Sequence, residues 1–383
     1  MCGLSLRALR MPLSDKRVQD VFFELLKAGL WENEVRLLGN DNIEYQEVYR
    51  LAEYQSVVGF VASGIEHVTD VKLPQSVNLQ FVGATLQLEQ RNRSMNEYLR
   101  KLITQLHTAG ITAVLLKGQG LAQCYEKSFW RACGDIDLFL REEDYEKAKH
   151  YLMPFASSVE PEETYKKHLA MTIDGWMVEL HGNLYSSLSR RIERTLDEIS
   201  SETFQKGEVR PWDNDGVQVT LMSKENDAVY VFTHILQHYF HGGIGLRQIC
   251  DWCRLLWTYR DSLNHEVLES RIWKMGLMTE WKTFAYFAVT DLGMPENTMP
   301  LYENKPRWQR KAFAIKQYVM KAGNFGHRDL NYVSEMSYMG RKAHSFKKTV
   351  SELFLHMNTF PMDSIRFFAY YVGIRVAALA RGE

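Results

Sequence analysis

Residues 115–140 read LLKGQGLAQCYEKSFWRACGDIDLFL, and the alternation of chemistry along this stretch decides the fold. Ile111 to Leu116 is a short, β-branched and apolar run, the composition of a buried strand. Lys117-Gly118-Gln119-Gly120 breaks it, and Leu121 to Glu126 then suits a helix. Asp135 to Leu140 (DIDLFL) is a second strand. Its side chains alternate between faces, so Asp135 and Asp137 share one face while Ile136, Leu138 and Leu140 take the other and can bury. Two carboxylates held that close repel unless a cation sits between them, and oxygen ligands of this kind suit Mg²⁺ with a substrate phosphate. An Asp-x-Asp alone also occurs at solvated strand ends, so the motif needs company.

Downstream, Glu142 to Met153 is an amphipathic helix with acids in its first turn, where the helix dipole favours them. His168 to Ile173 and Trp176 to Leu180 form a hairpin around Asp174-Gly175. Glu179 sits in its second strand, opposite in facing to Val178 and Leu180, and an acid there is costly unless paired or metal-bound. His181, two residues on, shares that face and can touch substrate, orient an acid, or simply close the strand end. Gly118 and Gly120, placed between strand and helix, let backbone N–H groups approach a phosphate. The loop is not a Walker A sequence, because its lysine precedes the glycines, and it lacks the third glycine of a dinucleotide fingerprint.

Strand, glycine loop, helix, Asp-x-Asp strand and a further strand acid, in that order, resemble the DNA polymerase beta-like nucleotidyltransferase superfamily. LLKG, Tyr125, Arg131, DIDLFL and VELHGNLY are similar to a bacterial group of uncharacterised nucleotidyltransferases within it. The resemblance implies an α+β fold: a nucleotidyltransferase-like mixed sheet core flanked by N- and C-terminal helical regions. It implies two Mg²⁺ ions held by Asp135, Asp137 and Glu179, which are also the expected catalytic residues, and a nucleoside triphosphate, ATP among them, as donor. An acceptor hydroxyl would attack its α-phosphate and release pyrophosphate. Lys117, Gly118, Gly120, Arg131 and His181 are the expected nucleotide-binding residues, the two cations neutralising triphosphate charge. Two positions depart from the usual pattern: Gln119 follows Gly118 where a small residue is common, and the third acid is Glu rather than Asp. These departures leave a second expectation open, a non-catalytic nucleotide-binding or regulatory protein that retains the fold.

The rest of the chain reads as helix. Three regions are expected: 1–110 helical, 111–222 the α/β core, with a late strand candidate at Val217 to Met222, and 223–383 helical. In the first, a helix starting at Ser14-Asp15, another over Tyr45 to Val68 and a long one over about Leu79 to Thr108 follow from apolar spacing. In the last, Asn226 to Phe240, Leu246 to Tyr259, Glu266 to Leu277 and Trp308 to Lys321 are the clearest segments. His234 and His238, four residues apart, with Cys250-x-x-Cys253, raise a zinc site, but a helical Cys-x-x-Cys favours packing. Arg247 and Asp251 suit a helix ion pair, on a helix that could wall the cleft. Arg341 to Lys348 (RKAHSFKK) is the most basic run and reads as a solvated face, with contact to nucleic acid or phosphate as the lesser alternative.

At 383 residues the chain exceeds one ~150-residue domain. With 46 Lys and Arg against 47 Asp and Glu, it lacks the basic coat of a general nucleic-acid binder. A small molecule, sugar or protein acceptor is therefore favoured over nucleic acid. Five cysteines suit free thiols in a reducing compartment. No run reaches the ~18 apolar residues of a membrane span; the nearest, Phe367 to Ala380, is interrupted by Arg375. The N-terminal MCGLSLRALRMPLSDKR lacks a signal peptide's apolar run, so a cytoplasmic protein with no membrane partner is expected.

Overall fold

The computed structural model describes residues 15–37, 43–323, 350–351 and 353–380. Four helices come first: α1 (Lys16–Trp31), α2 (Tyr45–Tyr54), α3 (Val58–Glu66) and α4 (Gln75–Thr108). The central part runs β1 (Ala113–Leu116), α5 (Gly118–Ala122), β2 (Asp135–Leu140), α6 (Glu142–Leu152), β3 (Ala156–Val159), β4 (His168–Ile173), β5 (Trp176–His181), α7 (Arg190–Gln205), β6 (Val209–Asn214) and β7 (Val217–Met222). Helices α8 (Lys224–His241), α9 (Leu246–Thr258), α10 (His265–Met275), α11 (Met278–Thr290), α12 (Pro306–Ala322) and α13 (Pro361–Ala380) follow.

The strands form one mixed sheet in the order β3-β4-β5-β2-β1-β7-β6. β2 is antiparallel to β1 and parallel to β5, and β1 is parallel to β7. The hairpin β4–β5 turns on Asp174 and Gly175, both at positive φ (51° and 80°), as a two-residue turn matched to strand twist demands. The fold is α+β, a mixed sheet between helical regions.

Alternation along the strands divides the core. Leu115, Ile136, Leu138, Leu140, Val178 and Leu180 pack on one side against Leu99, Leu102, Ile103 and Leu106 of α4 and Tyr145, Ala148 and Leu152 of α6. Val114, Leu116, Phe139 and Met222 face the other way and join the helical core built from α1–α3 and α7–α12. Burying the first face is what leaves Asp135, Asp137 and Glu179 pointing at the C-terminal helices.

The structure corrects several expected elements. The helix over Tyr45 to Val68 is broken at residues 55–57, where Ser56 turns left-handed (φ 55°). Gln55 is fully buried there, its amide donating to Val319 O and accepting from Leu246 N, so tertiary anchoring overrides helical periodicity. The long helix starts four residues early, after Pro74, and leaves Leu86 exposed. Of the expected Ser14-Asp15 pair, Asp15 caps α1, its carboxylate accepting from Arg17 N; residue 14 lies outside the described residues. Strands β3 and β6 were not expected, whereas α11 falls in the region expected to be helical without having been singled out. β6 is an edge strand, which is why Pro211 is tolerated in it.

Candidate active site

The sheet register assembles the acids. In the parallel β2–β5 ladder Asp137 lies opposite Glu179, and Phe139 opposite His181; in β4–β5 His168 lies opposite His181. Asp135, Asp137 and Glu179 therefore open into one cleft of about 260 Å³, with Lys117 and Gly118 at its floor and α8 and α9 as its far wall. Val231, His234, Ile235 and His238 come from α8, and Arg247, Gln248 and Asp251 from α9. The expectation that α9 walls the cleft holds; the expected Arg247–Asp251 pair does not.

Lys117, between β1 and α5, has φ 49° and ψ −133°, a conformation L-residues rarely adopt. That bend aims its ammonium at the acids, 3.1 Å from Asp137 Oδ1. His181 Nε2 lies 2.9 Å from the same oxygen. Burial alone would raise Asp137's pKa, but Lys117 and His181 outweigh it and hold the carboxyl far below its ordinary value. Asp135 goes the other way: the neighbouring Asp137 charge, then burial, push its pKa up. Burial opposes the charge on Lys117, but Asp137 and the surrounding anions keep it protonated. Lys117 is within ion-pair distance of Asp137 alone, and at Asp135 its charge and that of Arg247 do not offset Asp137 and burial.

Gly118 (φ +39°) lines the cleft, and an added Cβ would sit 3.4 Å from Cys133 Sγ and 3.5 Å from Asp135 O. Gly120 does not reach the cleft. A Cβ there would lie 2.8 Å from Leu221 Cδ2, so this glycine lets α5 pack on β7, a correction to its expected nucleotide-binding place. Gln119 turns away from the cleft too, donating to Asn92 Oδ1 at 2.9 Å inside the α4 packing. Its departure from the usual loop residue thus leaves the cleft open.

Arg131 lines the cleft but is only 5% exposed, and its guanidinium forks onto Asp251 (Nε–Oδ1 3.0 Å, Nη2–Oδ2 2.7 Å). Tyr125 Oη donates to the same carboxylate at 2.8 Å. Against the expectation of a free cation for triphosphate, the charge of Arg131 is matched by Asp251, and the pair with Tyr125 ties the loop before β2 to α9.

Sequence reasoning missed Arg247 as a cleft cation. Its Nη1 donates to Ala132 O at 2.7 Å, its Nε is buried with no hydrogen-bond partner, and it has no carboxylate within ion-pair distance among the described residues. Burial, then the neighbouring Arg131 charge, lower its pKa, the condition of a cation lacking an anion. Its position one turn before Asp251 was the available signal. His168 was also missed: its Nε2 lies 3.1 Å from Glu179 Oε2, and Glu179's hydrogen bond raises its pKa over the opposing effect of burial.

His234 and His238 face each other, Nε2 to Nε2, at 2.8 Å. Burial drives both pKa values down, that of His238 to about 3. Cys250 and Cys253 are buried in the helical core and held as thiols by burial, so the expected packing reading stands for them. Among the described residues, the one group of three or more His, Cys, Asp or Glu whose ligand atoms all lie within 4.8 Å of one another is His168, Glu179 and His181. Residues 341–348, the basic run, lie outside the described residues.

With an acid-lined cleft beside a glycine loop on a mixed sheet established, residues 41–290 match the model of a family described as "Uncharacterised nucleotidyltransferase". The chain belongs to this nucleotidyltransferase family. The matched span starts before α2 and ends with α11, so the family unit includes the helices that wall the cleft as well as the sheet. No curated protein and no solved structure matches the chain. No helix among the described residues is long and apolar enough to cross a membrane.

Proposed function

We propose that this nucleotidyltransferase moves a nucleoside monophosphate from a nucleoside triphosphate to an acceptor hydroxyl in a divalent-metal-dependent reaction, Mg²⁺ being the ion that binds with the triphosphate. The observation that carries the reading is the unbalanced carboxylate pair. Asp135 is pushed up by Asp137, and Lys117 makes its ion pair with Asp137 alone. Two aspartate oxygens with room for phosphate oxygens fit a hard dication.

Asp135 and Asp137 would hold the metal, and Glu179 would complete the set. When bound, the dication supplies positive charge to the α-phosphate and the leaving pyrophosphate. Lys117 offers its ammonium to triphosphate oxygens, and Arg247, with its unpartnered Nε, faces the cleft from the opposite wall. Gly118 allows close backbone approach. Arg131 and Asp251 hold the loop and α9 in register around the nucleotide. Glu179 accepts the acceptor hydroxyl's proton as the new P–O bond forms, and the bond to pyrophosphate breaks. The described helices within residues 1–110 and 223–383 flank a core spanning 111–222. The near-neutral charge favours a small molecule, sugar or protein as acceptor, in the cytoplasm.

The test is incubation of the full chain with labelled nucleoside triphosphates, Mg²⁺ and fractionated cell extract. Transfer of label in the parent, lost in Asp135→Asn, supports the reading. Triphosphate bound with no label transferred to any fraction instead favours a regulatory nucleotide-binding protein.

A further inference from the structure

Beside the aspartate pair, the sheet register builds a second donor set whose chemistry is different. His168 opens β4, Glu179 and His181 are on β5, and all three project from the same face of adjacent strands. One ligand atom from each lies within 4.8 Å of the others. His168 Nε2 is 3.1 Å and His181 Nε2 3.7 Å from the same oxygen, Glu179 Oε2. The imidazole rings stand 4.8 Å apart, centre to centre, tilted 46° to one another, with both Nε2 atoms directed at that carboxylate. His181 Nε2 also reaches Asp137 Oδ1 at 2.9 Å, which places a second carboxylate at the edge of the set.

A histidine–carboxylate contact is ordinary by itself. Two imidazoles converging on one carboxylate oxygen, each on its own strand, are the donor set of a transition-metal site. Mg²⁺ prefers oxygen donors and gives up its water reluctantly, so it gains little from imidazole nitrogen. Nitrogen donors favour the later first-row dications, in the rising order of affinity from Mn²⁺ to Cu²⁺. Nothing needs to move far: the strands are hydrogen-bonded in register, and β5 is flanked on both sides.

We propose that His168, Glu179 and His181 form a binding site for one first-row transition-metal dication, separate in ligand chemistry from the oxygen-only position at Asp135 and Asp137. The inference rests on the transfer reading only in that Glu179 serves both; the site binds its ion without nucleotide. It makes the two metal positions unequal, one hard and filled with the triphosphate, the other nitrogen-bearing and filled beforehand.

The test is titration of the metal-stripped full chain with Co²⁺, followed by its visible absorption, without nucleotide. The expected result is one Co²⁺ per chain with a spectrum showing nitrogen ligation, retained against a ~100-fold excess of Mg²⁺. His168→Gln and His181→Gln, each folded by circular dichroism, should weaken Co²⁺ binding by at least ~10-fold. Asp135→Asn, outside this donor set, should leave Co²⁺ affinity within about threefold, while triphosphate binding with Mg²⁺ is lost. Displacement of Co²⁺ by Mg²⁺, or unchanged affinity in both histidine variants, overturns the site. If Asp135→Asn keeps full Mg²⁺-dependent triphosphate binding, the transfer reading fails and the histidine site stands.

Discussion

Asp135 and Asp137 are two residues apart and share a cleft, yet replacing each by Asn should move stability in opposite directions. Asp137 is 2% exposed and its Oδ1 lies 3.1 Å from Lys117 Nζ, itself 16% exposed. At an effective dielectric of ~20 that attraction is about 5 kcal/mol, and desolvation of both groups offsets part of it. Removing one partner of such a buried pair costs roughly 3–5 kcal/mol when the other charge is stranded. Here Asp135 remains near Lys117 and takes over some of the pairing, so Asp137→Asn should destabilise the metal-free protein by about 2–4 kcal/mol. Asp135 is held above its ordinary pKa mainly by Asp137, so its ionised form is a burden at neutral pH. Asp135→Asn removes that repulsion and should raise the melting temperature.

The assay is urea unfolding in EDTA at pH 7, repeated across acidic pH. The signs follow from the two pKa directions. Asp135, raised in the folded state, withdraws stability as pH climbs from the ordinary aspartate value through the raised one. Asp137, lowered in the folded state, contributes stability above the ordinary value, and that contribution is lost as pH falls towards its depressed one. The gap between the two variants should therefore be widest near neutrality and close in acid. Equal shifts of the same sign in both variants at pH 7 would refute the reasoning, because they would mean that Lys117 does not discriminate between the two carboxylates.

Gly118→Val should weaken triphosphate binding more than folding, read by equilibrium binding beside a melting curve; Gly120→Ala should do the reverse, losing roughly 1–3 kcal/mol against Leu221 with binding intact. Asp251→Asn leaves Arg131 buried without its counter-ion and should cost about 3–5 kcal/mol in urea unfolding, whereas a surface pair would cost under about 1. Below pH 6.5 the buried His234 and His238 should make unfolding easier by up to ~1.4 kcal/mol per pH unit each, over the window down to about 3 for His238; His238→Gln should flatten that slope. Glu179→Gln should leave triphosphate affinity nearly unchanged and lower any transfer rate by at least ~10²-fold, and a variant as fast as the parent makes Glu179 structural.

What could be read from the sequence was what short periods encode. DIDLFL alternates with a period of two, so the facing of Asp135 and Asp137 and the burial of Ile136, Leu138 and Leu140 follow from the residues themselves, as do the hairpin at Asp174-Gly175 and the facing of Glu179. What could not be read was set by partners far along the chain. Gln55 breaks a helix because Val319 and Leu246 bind its amide, and no local pattern near residue 55 announces that. β6 carries a proline and partly exposed side chains, so it lacks a strand's composition and exists because β7 offers it an edge. Arg247 and Asp251 sit one turn apart and invite pairing along the helix, but Asp251 is claimed by Arg131 and Tyr125 from 120 and 126 residues away.

That exchange of partners explains why the motif surrounding the aspartates is longer than the aspartates need. Tyr125 and Arg131 do not face a ligand with free charge; they grip Asp251, and so bind α9 to the loop that enters β2. α9 in turn presents Arg247 to the cleft, held at Ala132 O, one residue after Arg131. The unpartnered cation opposite the acids is thus positioned by the same short loop that delivers Asp135. A change at Tyr125 or Arg131 would shift both walls of the cleft together, while a change at Gln119, two residues from Lys117 but turned into α4, would reach the cleft only through the packing beneath it. The two sides of the loop therefore carry different constraints: on one, residues must suit a charged ligand; on the other, they need only fill the interior. It is the second side, not the first, that departs from the pattern the loop usually shows.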